Sequence, residues 1–403
     1  MVQIKGNDPV TNKPVAPLGI VAMESCKRLG DEVNNYLLRW HNDPDSQDTP
    51  ESLNTYPGFE RSTYLLDAAC PRFSNGEGKG IFRESVRGYD LYIITDVCNY
   101  NVKYEMYGEP VPMSPDDHFQ DLKRIIAAVG GKAYRINVVM PILYESRQHR
   151  RTSRESLDCA VALQELETMG VSNIITFDAH DPRVQNAIPL IGFDTVMPTY
   201  QMLKALLRSE KDLRINRKHM MVISPDEGAI DRNIYYSSVL GIDLGLFYKR
   251  RDYTTVVNGR NPIIAHEYLG DSVEGMDVLV ADDIIASGES MLDIARELKK
   301  NKANRIYCAA TFGFFTQGLE AFHRAYEEGY ISKVLTTDLT YQRPELMETP
   351  WYVSVSMAKY ISYLIASLNY NYSISRLLNP LTKIQTLLAN YRAEQKANGI
   401  SLV

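Results

Sequence analysis

Short apolar runs rich in β-branched residues, several of them closed by a polar or acidic residue, recur along most of this chain. Leu91–Val97 (LYIITDV), Ile136–Leu143 (INVVMPIL), Asn173–His180 (NIITFDAH) and Met220–Asp226 (MMVISPD) have this form. So do Asp243–Lys249 (DLGLFYK), Asp277–Asp283 (DVLVADD), Arg305–Gly313 (RIYCAATFG) and Lys333–Asp338 (KVLTTD). Runs this short and continuous predict strands buried on both faces. Helical periodicity fills the gaps. Glu155–Gly170 ends in a glycine suited to the C′ position, and Ser290–Lys300 ends in lysines that suit a helix C-terminus. Met357, Ile361, Leu364, Ile365 and Leu368 recur at helical spacing and predict a core-facing stripe. Alternating strands and helices predict an α/β fold with parallel sheets flanked by helices. Ligands of such sheets bind beyond the carboxyl ends of the strands. Polar strand ends cluster around Phe177–His180 and around Ala281–Asp283, which suggests two similar halves.

Three stretches break the pattern. His41–Glu60 is polar, holds three prolines and has no period, so it reads as a loop or an insertion without a helix. In Tyr107–His118, Pro110, Pro112 and Pro115 argue against an interior helix or a central strand. Arg250–Pro262 carries an Asn-Gly turn signal between two apolar runs. A chain of 403 residues exceeds what one core usually organises, so two domains are expected.

Composition narrows the function classes. With 44% hydrophobic and 23% charged residues the chain is globular, and a net charge of -6 argues against a nucleic-acid partner. The five cysteines are scattered without CxxC spacing, which suits reduced thiols in a cytoplasmic protein rather than disulfides or a zinc site. The opening MVQIKGNDPV lacks an apolar signal core, and no apolar run approaches the roughly 18 residues of a membrane span, so no membrane association is expected. Walker A, GxGxxG and HExxH patterns are absent from the sequence.

The most informative stretch is Val278–Ser290, VLVADDIIASGES. An apolar strand runs into paired carboxylates, Asp282 and Asp283, then into a turn of Ser287, Gly288, Glu289 and Ser290 that opens a helix. Backbone N–H groups and hydroxyls at such a turn form a phosphate cradle. Neighbouring acids repel phosphate but accept hydrogen bonds from vicinal sugar hydroxyls or face Mg²⁺. A phosphorylated sugar satisfies both halves. The plainer alternative, an Asp/Ser-capped helix, needs one acid and not two followed by a second hydroxyl cluster.

This stretch resembles the phosphoribosyl-pyrophosphate (PRPP) loop shared by phosphoribosyltransferases and ribose-phosphate diphosphokinases. Further segments resemble the diphosphokinases: Phe73–Ile94 (FSNGEGKGIFRESVRGYDLYII), Tyr144–Ser156 (YESRQHRRTSRES, with one residue inserted before Arg147), Ile174–Pro189, Val222–Arg232 (VISPDEGAIDR) and the Lys-x-Arg of FYKRRD. The likeness runs in order from about Pro17 to Leu378. It implies two phosphoribosyltransferase-type domains, 1–195 (with insertions near 41–60 and 99–118) and 196–379, followed by a C-terminal extension, 380–403. The implied reaction moves the β,γ-diphosphoryl group of ATP to O1 of ribose 5-phosphate, with Mg²⁺ as cofactor, giving PRPP and AMP. By the same resemblance, Lys249 and Arg251 clasp the migrating phosphoryls, and the loop they open is a lid. Phe73, Asn75, Glu77, Arg147, Gln148 and His180 take ATP, with the first three supplied by a neighbouring subunit. Asp226, Asp282, Asp283 and Ser287–Ser290 take ribose 5-phosphate, and His180, Asp178 and Asp226 face metal. A homo-oligomer is implied, at least a dimer, with family members often hexameric.

The chain departs from the family pattern at His149, in place of the usual Asp, at Phe312, in place of a histidine, and at Asp231, where Lys is common. Two other readings share part of these features. A non-catalytic homologue regulating an active synthetase would bind nucleotide without turnover. A phosphoribosyltransferase would use the Asp282–Ser290 loop but has no use for the FSNGE and ESRQ segments.

Overall fold

The computed structural model describes residues 13–42, 62–251 and 263–399. Most of the insertion expected at His41–Glu60 and the expected lid over Asp252–Pro262 lie outside these residues. The apolar runs form strands where the pattern places them. In the N-terminal sheet five parallel strands stand in chain order: β1 (Leu18–Ala22), β2 (Asp90–Ile94), β3 (Arg135–Val139), β4 (Asn173–Phe177) and β5 (Gly192–Val196). Its helices are α1 (Lys27–Asn42), α2 (Pro115–Val129) and α3 (Asp158–Thr168), and Gly170 leaves α3 at φ +88°.

The proline-bearing break at Tyr107–His118 holds more structure than its composition suggests. Lys103–Met106 and Glu109–Pro112 pair as a two-stranded antiparallel ribbon, whose edges tolerate Pro110 and Pro112. Pro115 opens α2, where its missing N–H costs nothing. Ser114 caps that helix: its Oγ accepts from Asp117 N at 3.2 Å, while the Asp117 carboxylate accepts from Ser114 N at 2.9 Å.

The second sheet has seven strands. In chain order the elements are α4 (Thr199–Ser209), β6 (Met220–Ser224), α5 (Ile230–Leu240), β7 (Asp243–Arg251), β8 (Ile263–Leu269) and β9 (Asp277–Ile285). They continue with α6 (Glu289–Lys300), β10 (Ile306–Gly313), α7 (Glu320–Glu327), β11 (Lys333–Thr337) and β12 (Tyr352–Val355). Across the sheet the order is β8-β7-β6-β9-β10-β11-β12. All neighbours are parallel except β7 and β8, so an antiparallel edge strand modifies the expected all-parallel sheet. Both faces are covered, as the strand pattern requires. Along β9, Val278 and Val280 enter one core with Phe322 and Trp351, while Leu279 and Ala281 enter the other with Leu206 and Tyr307.

The chain divides into two compact units that are not contiguous blocks. Residues 1–197, 339–341 and 356–379 form the first, and 198–338, 342–355 and 380–403 the second. Residues 339–341 and 356–379, expected within a continuous 196–379 domain, lie in the first unit. Residues 356–379 belong with the N-terminal unit because α8 (Ala358–Asn369) buries its stripe there. Met357, Ile361, Leu364 and Ile365 are buried, Leu368 is half-buried, and Tyr363 lies 4.6 Å from the Trp40 ring of α1. The extension is likewise no loose appendage. Helix α9 (Leu381–Ala397) buries Ile384, Leu388 and Tyr391 in the second unit's core. Tyr391 donates its hydroxyl to Glu210 O at 2.6 Å and accepts from Leu213 N at 3.0 Å. All five cysteines are free, and burial raises their thiols, Cys70, Cys98, Cys159 and Cys308 to about 12, which leaves them as inert packing.

Candidate functional site

In the second unit, sheet order reverses between β6 and β9: β7 and β8 lie to one side, β10 to β12 to the other. Such a switch point opens a crevice beyond the carboxyl ends of its strands. Asp226 follows β6, and Asp282–Ser290 form the carboxyl end of β9 and the turn after it, so the topology brings these acids to one crevice. The strand continues through the acids to Ile285, with Asp282 opposite Ala310 of β10. Asp283 is buried and Asp282 half-buried.

Asn233 of α5, fully buried, ties the two strand ends together. Its Nδ2 donates to Ala281 O and to Ala229 O, each at 2.8 Å. Ser224 Oγ donates to Asp226 O at 2.9 Å, and Asp226 Oδ1 accepts from Ala229 N at 3.1 Å, so one oxygen of this acid holds its own turn. Arg232 reaches Asp282, Nη1 to Oδ1 3.6 Å. Burial above all, then the neighbouring Asp283, pushes the Asp282 carboxyl up to about 8, and Arg232 offsets only part of this. Arg232 and Asn233 escaped the sequence reading. Their signals were an arginine and an asparagine in the first turns of the helix that follows SPDEG.

The turn after β9 is shaped for an anion. Gly288 is the N-cap of α6 at φ +90° and contributes no side-chain cap. A Cβ at this residue would stand 2.3 Å from Phe322 Cζ, so glycine is obligatory. The Asp/Ser-capped helix is therefore not what the chain builds. Backbone N–H groups of the first turn face the loop together with Ser287, whose Oγ lies 3.4 Å from Glu289 N, and the exposed Glu289 and Ser290. Lys249 and Arg251 end β7, where Lys249 pairs with His266 and Arg251 with Ile263 across a register shift.

The first unit holds the other candidates in two groups. Beyond the adjacent ends of β3 and β4 lie Arg147–His149 and Asp178–His180. Asp178 is buried at φ +44°, with its N–H donated to Val196 O at 3.0 Å, and His180 is exposed. His149 packs edge-on to His180 with ring centroids 5.2 Å apart, and its Nε2 is 3.5 Å from Asp181 Oδ2. The departure at His149 thus abuts a candidate ligand residue. Arg147 is exposed, whereas Gln148 donates its amide to Ser156 O at 2.7 Å and closes its own loop. The residue inserted before Arg147 is absorbed in a turn where Glu145 takes φ +52° and its carbonyl accepts from Gln148 N at 2.8 Å.

Phe73, Asn75 and Glu77 form the second group, a tight turn. Phe73 N donates to Glu77 O at 2.7 Å, and Asn75 Nδ2 to Glu77 Oε2 at 2.9 Å. Tyr107 N donates to Ser74 O at 2.8 Å, so the 103–112 ribbon supports this turn. Phe73 remains 54% exposed, an apolar ring presented to solvent.

Among the described residues, no three His, Cys, Asp or Glu side chains gather as a metal-holding group. The carboxylates present suit Mg²⁺, which keeps its waters and is bound through one or two carboxylates plus substrate phosphates rather than a protein cage. No described helix is long and apolar enough to cross a membrane.

Comparisons with known proteins agree with this geometry. Residues 18–170 match the N-terminal domain of ribose phosphate pyrophosphokinase, and residues 197–335 match the phosphoribosyl transferase domain. A ribose-phosphate pyrophosphokinase of Chlorobaculum tepidum is 30% identical over 251 residues, 62% of this chain and 69% of its own. That of Vibrio parahaemolyticus is 28% identical over 319 residues, 78% of this chain and 92% of its own. The crystal structure of phosphoribosylpyrophosphate synthetase from Mycobacterium smegmatis superposes with a TM-score of 0.68 at 20% identity, over 88% of this chain and 99% of that one, and shares the fold. With both domain types matched in order and the phosphate-shaped loop at the switch point of the second, this chain belongs to the ribose-phosphate pyrophosphokinase family.

Proposed function

We propose that this protein is an active ribose-phosphate diphosphokinase, transferring the β,γ-diphosphoryl group of ATP to O1 of ribose 5-phosphate to give PRPP and AMP. The observation that carries this reading is the Asp282–Ser290 loop at the β6/β9 switch point. It joins a buried and a half-buried carboxylate to a helix N-terminus that lacks a side-chain cap. Asp226, Asp282 and Asp283 accept the ribose hydroxyls, while Ser287, Gly288, Glu289 and Ser290 surround the 5-phosphate. On the nucleotide side, Arg147, Gln148 and His180 hold the phosphates, and the exposed Phe73 with Asn75 and Glu77 takes the adenine of a neighbouring subunit's ATP. That arrangement requires at least a dimer. Diphosphoryl transfer is positioning and charge neutralisation, which assigns Lys249 and Arg251 to the migrating group. Asp178, His180 and Asp226 would hold Mg²⁺. When bound, Mg²⁺ neutralises phosphate charge.

Incubation with ATP, Mg²⁺ and ribose 5-phosphate should yield PRPP and AMP in equal amounts. Formation of ADP alone overturns the reading, and absence of any product overturns it in favour of a binding homologue. The residue types expected at Lys249, Arg251, His180 and Arg147 are all in place, which favours catalysis. The match of residues 18–170 to a pyrophosphokinase N-terminal domain weighs against a plain phosphoribosyltransferase.

The raised Asp282 carboxyl predicts how sugar binding varies with pH. Ribose hydroxyls donate to the ionised carboxylate, so binding must release the proton that Asp282 still holds below about 8. The Kd for ribose 5-phosphate should therefore fall about fivefold from pH 7 to pH 8 and level off above it. Titration calorimetry should show this slope in the wild type and not in Asp282→Asn. A Kd constant between pH 7 and pH 9 would remove Asp282 from the sugar site.

A further inference from the structure

The ribbon of Lys103–Met106 and Glu109–Pro112 lies in the insertion near 99–118, and one of its faces packs on the Phe73–Glu77 turn. Exposure alternates along its first strand. Lys103 and Glu105 are exposed, whereas Tyr104 and Met106 are half-buried, the period of a strand with one covered face. The turn divides in a similar way: Phe73, Asn75 and Glu77 are exposed, while Arg72, Gly76 and Gly78 are half-buried. The covered residues show what holds the exposed ones in place.

Arg72 stands at the neck of the turn, bridged across it to Gly78. Its side chain is only 6% exposed, and its Nη1 donates to Asp121 Oδ1 of α2 at 2.6 Å. Nη2 has no hydrogen-bond partner among the described residues. The Tyr104 ring lies over this guanidinium instead, with Cζ 4.9 Å from the ring centroid, so an aromatic face meets the buried charge. A Cβ on Gly78 would stand 2.5 Å from Arg72 Nη1, so the guanidinium fills the neck. At the tip, a Cβ on Gly76 would stand 2.8 Å from Met106 Sδ and 3.8 Å from Tyr104 Cε2. Between neck and tip, Tyr107 N donates to Ser74 O at 2.8 Å. The ribbon's own two-residue loop aims that N–H, with Tyr107 at φ +52° and Gly108 at φ +82°.

An exposed turn this small has no core of its own, and ordering it around a ligand would weaken binding. The ribbon orders it beforehand. We propose that Tyr104 and Met106 are positioning residues for nucleotide binding, holding Phe73, Asn75 and Glu77 in one arrangement before ATP arrives. Tyr104 acts through Arg72 and Met106 through Gly76, and neither touches the nucleotide. The proposal rests on the reading above that the Phe73 turn takes adenine.

Amide hydrogen exchange on the full chain reads the turn, and titration calorimetry with ATP and, separately, with ribose 5-phosphate reads the sites. Y104L keeps an apolar side chain but takes the ring face away from Arg72. It should speed exchange of the Phe73 and Gly76 amides, which donate to Glu77 O and Phe73 O, by about tenfold. The Kd for ATP should rise about fivefold as the turn must then be ordered on binding. Y104F retains the ring and should match wild type in both. Exchange in β2 and β3 and the Kd for ribose 5-phosphate should stay constant throughout, which a general loss of stability would not allow. M106A removes the contact at the tip and should repeat the Y104L pattern, and it decides the matter should Y104L not fold. Unchanged exchange of the turn in Y104L and M106A overturns the proposal, as does a loss in Y104F equal to that in Y104L. Faster exchange with an unchanged Kd for ATP overturns it too, since the turn would then be held for something other than the nucleotide. Neither readout needs PRPP synthesis. A wild type that makes no PRPP would sink the proposed reaction and leave the positioning to be decided by these measurements alone.

Discussion

Lys249→Ala is expected to lower kcat for PRPP formation by a factor on the order of 10²–10³ while changing the KM values for ATP and ribose 5-phosphate far less. The leaving AMP and the incoming ribose oxygen share a phosphoryl group whose negative charge is spread over its oxygens in the transition state. A cation that meets this charge only as it forms acts on the rate and not on ground-state binding. Lys249 occupies the end of β7, paired with His266, immediately before the Arg250/Arg251 register shift. A strand end anchors the residue on one side, and the segment beyond it is the expected lid. Steady-state kinetics on wild type and variant decide the matter. A kcat unchanged within threefold, or a loss confined to KM, would take Lys249 out of the transition state.

The largest stability effect is expected at Arg135→Met. Asp90 is fully buried, and Arg135 grips it through Nε to Oδ1 at 2.8 Å and Nη2 to Oδ2 at 2.7 Å. Burial works against the Arg135 charge, and its hydrogen bonds to Asp90, together with Tyr92 and the Asp90 charge, more than offset this, since its pKa rises. Asn137 and Asn369 add bonds to the same carboxylate at 2.8 and 2.9 Å. Arg135 Nη2 also donates to Leu368 O at 3.0 Å, so the network fastens the end of α8 to the sheet. Removing the cation strands a buried carboxylate, a loss of about 3–5 kcal/mol. Asp90→Asn combined with Arg135→Met should recover part of it, because no charge is then left unpaired. Urea denaturation of the three proteins measures both quantities. A single-variant loss below about 1 kcal/mol would mean that the network does not hold the first unit together.

Much of this protein was legible one residue at a time. All eight apolar runs are strands, and the Met357–Ile365 stripe is a buried helix face, because burial on a strand or a helix imposes a period that a sequence displays directly. The loop Asp282–Ser290 was legible for the same reason: its glycine, hydroxyls and acids are contiguous. The antiparallel pairing of β8 was not, since the apolar run after Pro262 does not show in which direction it pairs. Pro110, Pro112 and Pro115 correctly excluded an element's interior, but they did not disclose the ribbon edge and the helix's first turn, which proline also suits.

By itself, then, the sequence determined the local elements and the α/β class, which depend on residues within a few positions of one another. Tertiary structure alone decided which of these elements meet. It placed Asp226 and Asp282 at one switch point, and it set His149 against His180 across 31 positions of chain. It returned residues 356–379 to the first unit through contacts such as Arg135 to Leu368, 233 positions apart. It also packed α9 into the second unit's core through Ile384, Leu388 and Tyr391. Contacts of that length leave no period in the sequence, because the partner that buries a residue is chosen by the packing of the whole unit and not by its neighbours in the chain.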